Sequence, residues 1–101
     1  MRVISLGPLR AFWTKHPDAE TPLRHWYKTT RHARWRSLND ARRTYPHADA
    51  VRGGSGDSLT VFNIGGNKYR LVVAVKYSAQ IVFVRFVGTH AAYDEIDAGE
   101  V

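Results

Sequence analysis

Two adjacent glycines, Gly65 and Gly66, separate the runs "LTVFNI" and "KYRLVVAVKY". Apolar residues alternate on both sides, and the favoured two-residue hairpin turns need a positive φ that glycine adopts without steric cost. The spacing therefore predicts an antiparallel hairpin. A second reversal at Ser78-Ala79 leads into "QIVFVRFV" and adds a third strand. Three successive antiparallel strands need an apolar face packed against another layer. One face must be covered, and the residues before the strands are what remains to cover it.

Tight turns set which residues share a face. Two-residue loops pair Asn63 with Lys68, Phe62 with Tyr69 and Val61 with Arg70 in the first hairpin. In the second they pair Lys76 with Ile81, Val72 with Arg85 and Leu71 with Phe86. One face then collects Phe62, Ile64, Tyr69, Leu71, Val73, Val75, Val82, Val84 and Phe86, with no charge among them. It is expected to lie under the helices. The other face collects Asn63, Lys68, Arg70, Lys76 and Arg85 among Leu59, Val61, Val72, Ala74, Ile81, Phe83 and Val87. A four-residue second loop keeps this arrangement. A loop of odd length would drive Arg85 into the core, where an unpaired charge is very costly.

The first half reads as helical after a short β-compatible "RVISL". Pro8 suits the first turn of a helix, Leu9, Phe12 and Trp13 fall on one side of it, and Pro17 ends it. A second helix is expected to start near Asp18 or Thr21. Its buried stripe is Leu23, Trp26, Tyr27, Thr30 and Ala33, and Arg24, His25, Lys28, Arg31, His32 and Arg34 lie on its other sides. Ser37 is placed to cap a third, short helix that ends before Pro46. The stretch "RGGSGDS" (52–58) reads as a flexible connection between the two halves. Neither half is large enough to bury a core by itself, so residues 1–101 are read as one α+β domain.

Charge is unevenly spread. The net formal charge is +6, residues 1–45 hold ten Lys/Arg against three Asp/Glu, and residues 94–101 hold four acids and no base. A basic body suits a polyanion, commonly nucleic acid, and the helices would add contacts to its backbone that do not depend on sequence. The half-apolar, cationic sheet face has two readings. It is an interface covered by another chain, or it is an anion site in which arginine forks hold phosphate oxygens.

Other chemistries are not supported. There are no cysteines, hence no disulfide framework or thiolate metal site, and the five histidines have no partners at metal-ligand spacing. No phosphate-binding loop or nucleophile elbow is present. No apolar run is long enough for a membrane span, and the first residues lack the apolar core of a signal peptide. The expectation is a soluble cytoplasmic protein without cofactors. In "VGTHAAYDEI" (87–96), Thr89 is placed to cap a short helix on which His90 and Tyr93, three apart, share one side just beyond the strand end. Histidine moves protons near neutral pH, and tyrosine stacks on bases.

"VFNIGGNKYRLVVAV", then "VRFVGTHAAYDEI", with "ARWRSLNDARRTYPHADAV" upstream, resembles the HigB family of bacterial toxins within the wider RelE-like group. The resemblance covers nearly the whole chain. It implies a β-α-α-β-β-β fold with a small, mostly antiparallel sheet, helices on one face and a short C-terminal helix. It also implies an endoribonuclease that cuts mRNA in the ribosomal A site without a metal, the ribose 2′-OH attacking the adjacent phosphate. A helix-turn-helix antitoxin is the implied partner. By position within the matching motifs, Arg70 is expected to hold the scissile phosphate. His90 is expected to protonate the leaving group or contact the phosphate, and Tyr93 to stack on or activate the nucleotide. The RelE lysines of the first hairpin strand are replaced here by Val61 and Asn63, so Lys68 is expected to supply the missing cation. Asn63, Asn67, Lys76, Arg85, Arg31 and Arg34 are expected RNA contacts. Two other readings remain open: a non-catalytic RNA- or ribosome-binding module on the same scaffold, and a structural subunit whose polar face is only an interface.

Overall fold

The computed structural model describes residues 1–52 and 58–96. Residues 53–57 of the connection read as flexible, and most of the acidic tail, lie outside the described residues, while Arg52 and Ser58 at the ends of that connection lie in strands. Strand β1 (Arg2–Ile4) is followed by α1 (Leu6–Lys15), a 3-10 turn at Pro17–Ala19, α2 (Glu20–His32) and α3 (Leu38–Thr44). Then come β2 (Asp49–Arg52), β3 (Ser58–Ile64), β4 (Tyr69–Lys76), β5 (Ile81–Thr89) and α4 (His90–Glu95). The sheet order is β1-β5-β4-β3-β2, antiparallel except for β1, which runs parallel to β5.

The helices start and stop where the local chemistry dictates. Pro17 cannot continue α1 and opens the 3-10 turn instead. In α2, Leu23, Trp26 and Thr30 are fully buried, one stripe of a helix whose other sides are charged. Ser37 caps α3 by accepting from the Asp40 N–H, a contact of about 1 kcal/mol. These helices bring Leu9, Ala19, Leu23, Trp26 and Ala41 onto Phe62, Ile64, Tyr69, Leu71, Val73, Val82 and Val84 of the sheet. That is the uncharged face, covered as expected.

Three features of register differ from the expectation. The first hairpin closes with Ile64 opposite Tyr69, so its loop is Gly65 to Lys68 and Asn63 faces Arg70, not Lys68. The loop is two residues longer than a minimal turn. Because the change is even, no strand side chain moves to the other face. Gly65 and Gly66 both have positive φ, 64° and 73°, which is why glycine stands there. In the second hairpin Lys76 does oppose Ile81, but a bulge at Arg85 makes Val72 oppose Phe86 and Leu71 oppose Val87. Phe86 is therefore not in the helix-covered core. Val87 packs there instead, and Phe86 joins Phe83 and Tyr93 over Leu59, Val61, Val72 and Ala74 on the other face. Strand β2 is the third difference. Its four residues carry no alternating pattern and form a strand by pairing with β3.

The 65–68 loop is pinned to the helical layer. Asp18, in the 3-10 turn, accepts from the Lys68 ammonium and from the Tyr69 hydroxyl, the latter at 2.5 Å. The hydrogen bond from Lys68, then that from Tyr69, hold the Asp18 carboxyl below its ordinary 3.8, and Asp18 raises both partners above theirs. A depressed carboxyl stabilises the fold above its ordinary value and loses that contribution as pH falls through the lowered one. The raised Lys68 and Tyr69 contribute fully below their ordinary 10.5 and 10.0 and lose the contribution as pH climbs past the raised values. Asp18→Asn is thus expected to flatten the dependence of the melting midpoint on pH below about 4 and above about 10. A thermal melt series over both ranges checks it. Parallel curves for variant and wild type would show that the pinning contributes nothing.

Candidate active site

The second sheet face is half apolar and carries its cations in two groups. Arg70 is the second residue of β4 and Lys76 its last, so at about 3.3 Å per residue they stand some 20 Å apart. Lys76 and Arg85, both exposed, border a shallow hollow of about 380 Å³ with Ser58, Ala74 and Phe83. The bulge frees Arg85 from cross-strand pairing and leaves its side chain at this hollow.

The Arg70 end is where the chemistry gathers. Thr89 caps α4, its hydroxyl accepting from the Ala92 N–H at 3.0 Å, and this cap sets the helix that carries His90, Tyr93 and Asp94. Arg70 Nη2 lies 2.7 Å from His90 Nε2. A guanidinium has donors only, so Nε2 is the acceptor and the imidazole proton resides on Nδ1. That proton is directed at Asp94 Oδ2, 3.2 Å away. The Arg70 guanidinium also stands over the Tyr93 ring, 5.8 Å from its centroid. Arg70 Nε is buried and has no partner among the described residues, so the fork retains an unspent donor.

On its other flank Arg70 borders a cavity of about 130 Å³, lined also by Tyr93, Val61, His47 and Asp49. His47 and Asp49 were not among the residues singled out in the sequence, because no local motif links them to Arg70. The available signal was the "YPHAD" stretch between the third helix and the strands. Arg42 secures this stretch, donating through Nε to Ala48 O at 2.9 Å and standing 3.5 Å from Asp49 Oδ1.

The structure thus gathers Arg70, His90 and Tyr93, with Asp94, His47 and Asp49 added. Asn63 opposes Arg70 across the ladder, and its Oδ1 is buried with no partner among the described residues. The Lys68 ammonium is engaged with Asp18 on the helical side, although its carbonyl accepts from the His90 N–H at 3.3 Å. Asn67 is exposed in the loop. Arg31 and Arg34 are exposed at and just beyond the end of α2, and Arg34 lies near Gln80 of the β4–β5 turn, the opposite end of β4 from Arg70.

Gly88 faces Arg70 from β5. A Cβ built there would lie 2.6 Å from Phe86 Cζ and 3.1 Å from Cε1. The absence of a side chain lets the Phe86 ring lie along the strand, 6.4 Å from the Tyr93 ring. Gly88→Ala is expected to push that ring toward Tyr93, at a cost of about 1–3 kcal/mol. Thermal melting tests this, and a wild-type midpoint would mean the ring has room to move.

An α+β fold with N-terminal helices on one face of a mostly antiparallel five-stranded sheet, and a short helix after the last strand, is the fold expected of a RelE-like toxin. A family model described as HigB_toxin, RelE-like toxic component of a toxin-antitoxin system, matches residues 19–96, and the chain belongs to that family. Over 96 residues it is 23% identical to the "mRNA interferase HigB" of Escherichia coli (strain CFT073), covering 95% of this chain and 91% of that protein. Over 94 residues it is 29% identical to the "mRNA interferase HigB" of Shigella flexneri, covering 93% and 88%. As the toxic component of such a system, a member of this family implies a cognate antitoxin. No helix among the described residues is long and apolar enough to cross a membrane.

Proposed function

We propose that this toxin is an mRNA interferase, an endoribonuclease that cuts mRNA in the ribosomal A site, and that Arg70 and His90 carry the reaction. The observation that supports this most is the Arg70–His90–Asp94 chain beside a cavity large enough for a phosphate group, in a chain whose relatives bear that name. A phosphodiester entering the cavity attracts the Arg70 fork, which satisfies its unspent donor and releases His90 Nε2. The freed, neutral imidazole accepts the proton of the attacking 2′-OH, and Asp94 stabilises the imidazolium that forms. Arg70 offsets the charge that grows on the phosphoryl oxygens. Tyr93 supplies a ring for an unstacked base. In this reading the phosphate grip and the proton transfer from the 2′-OH are carried by protein groups, and the chemistry is metal-independent.

The remaining contacts extend along the substrate. Lys76, some 20 Å from Arg70 along the strand, and Arg85, at the bulge between them, hold a more distant stretch of backbone. Arg31 and Arg34 on the helical side, with Asn63 and Asn67 near the hairpin, add polar contacts. Lys68, held by Asp18, acts by fixing the loop and is not the base. The partner that silences the toxin is a helix-turn-helix antitoxin.

The test is to incubate purified protein with one mRNA, naked and on translating ribosomes, and to map the 5′ ends. New ends are expected only on ribosomes and only with intact Arg70. Equal cutting of naked RNA would remove the ribosome from the reading. Salt-sensitive binding with no new ends in either sample would make this a binding module instead.

A further inference from the structure

We propose that His47 is the second imidazole of the site and protonates the leaving 5′-oxygen. This rests on the nuclease reading above and goes beyond it, since that reading leaves the leaving group without a proton donor. In-line displacement puts the attacking and leaving oxygens on opposite sides of phosphorus. An acid and a base must therefore reach the phosphate from two flanks. The strand order β1-β5-β4-β3-β2 provides them. Arg70 stands on the central strand. His90 follows β5 on one side, and His47 precedes β2 on the other and lines the same cavity of about 130 Å³.

The other groups near that flank are occupied. The Asp49 carboxylate stands by Arg42 at 3.5 Å, and the Lys68 ammonium is bound to Asp18. His47 makes no side-chain hydrogen bond within the described residues and is exposed, so both its ring nitrogens are unengaged at the cavity. Its backbone is held in place by the Ala48 N–H to Tyr45 O bond of 2.9 Å and by Arg42 donating to Ala48 O. A mobile donor would not meet the positional demand of proton transfer, whereas an anchored turn with a free ring does.

The step balances. His90 Nε2 takes the 2′-OH proton and the O2′–P bond forms. The P–O5′ bond breaks with its electron pair on O5′, which takes the proton of the His47 imidazolium. The products are a 2′,3′-cyclic phosphate and a 5′-hydroxyl, with His90 charged and His47 neutral, and exchange with solvent restores both.

The experiment uses ribosome-bound mRNA cut at the position mapped for the wild type. One substrate has the ordinary linkage there, and in the other sulfur replaces the bridging 5′-oxygen. A thiolate has the lower pKa and leaves without a proton. His47→Ala is expected to slow the oxygen substrate about 10²–10⁴-fold and to regain most of that loss on the sulfur substrate. His90→Ala is expected to stay slow on both. If His47→Ala cuts the oxygen linkage at the wild-type rate, or is slowed equally on both substrates, the assignment of His47 is wrong while the nuclease stands. If the wild type cuts neither substrate, the nuclease reading itself fails, and His47 with it. Because His47 is exposed, the variant should melt with the wild type.

Discussion

Arg70→Ala is expected to lower cleavage of ribosome-bound mRNA by about 10²–10³-fold, the usual cost of removing a donor aimed at developing charge. Growth arrest on expression should disappear with it. The substitution removes the phosphate grip and also empties the Nε2 position of His90, which is bonded to Arg70 at 2.7 Å. Arg70→Lys separates these effects. An ammonium restores charge but not the planar fork, so only part of the rate should return. The loss should be chemical and not structural. The guanidinium already has a buried Nε with no partner among the described residues, so deleting it orphans no partner in the core. Rates measured beside melting curves decide the matter. A folded Arg70→Ala protein that cuts and arrests like the wild type would falsify the site.

Phe62→Ala is expected to have the largest effect on stability. Phe62 is 1% exposed and touches three aromatic rings at once: Trp26 edge-on at 5.7 Å, Tyr45 edge-on at 5.3 Å and Trp35 stacked at 6.0 Å. These rings come from α2, from the segment before α3 and from the one after it, so Phe62 joins the helical layer to β3. Truncating a buried phenylalanine costs about 3–5 kcal/mol, a large part of the roughly 5–15 kcal/mol that holds a small domain together. A urea titration followed by tryptophan fluorescence should show a lower midpoint with an unchanged slope. A shift under about 1 kcal/mol would mean that the neighbouring rings close the cavity, against the close packing described above.

Much of the architecture was legible because side-chain alternation is a local property. Phe62, Ile64, Tyr69, Leu71 and Val73 lie under the helices as their parity requires, and a hairpin loop two residues longer than expected left that unchanged. Pro17, Ser37 and Thr89 mark helix ends through their own backbone and side-chain chemistry. Illegible were the bulge and β2. "IVFVRFV" is apolar at every position but Arg85, and nothing in it says that the strand will slip so that Val87 packs under the helices and Phe86 meets Tyr93. β2 acquires strand geometry from β3 and not from its own residues.

The site divides in the same way. Arg70 and the His90–Tyr93 pair stood out from strand position and helix spacing, and the family resemblance picked out the same residues. Lys68 was read from an assumed pairing with Asn63, and the longer loop instead turns its ammonium toward Asp18. His47 carried no signal beyond its place in the "YPHAD" stretch, because its relation to Arg70 is one through space between residues remote in the chain. Alone, the sequence determined which residues of β3 and β4, and of β5 up to the bulge, face the helices and which face out, since alternation and turn parity act over a few residues. Only the tertiary structure decided which outward residues meet, because strand order, one bulge and the anchored turn before β2 bring Arg70, His90 and His47 together from segments with no local rule in common.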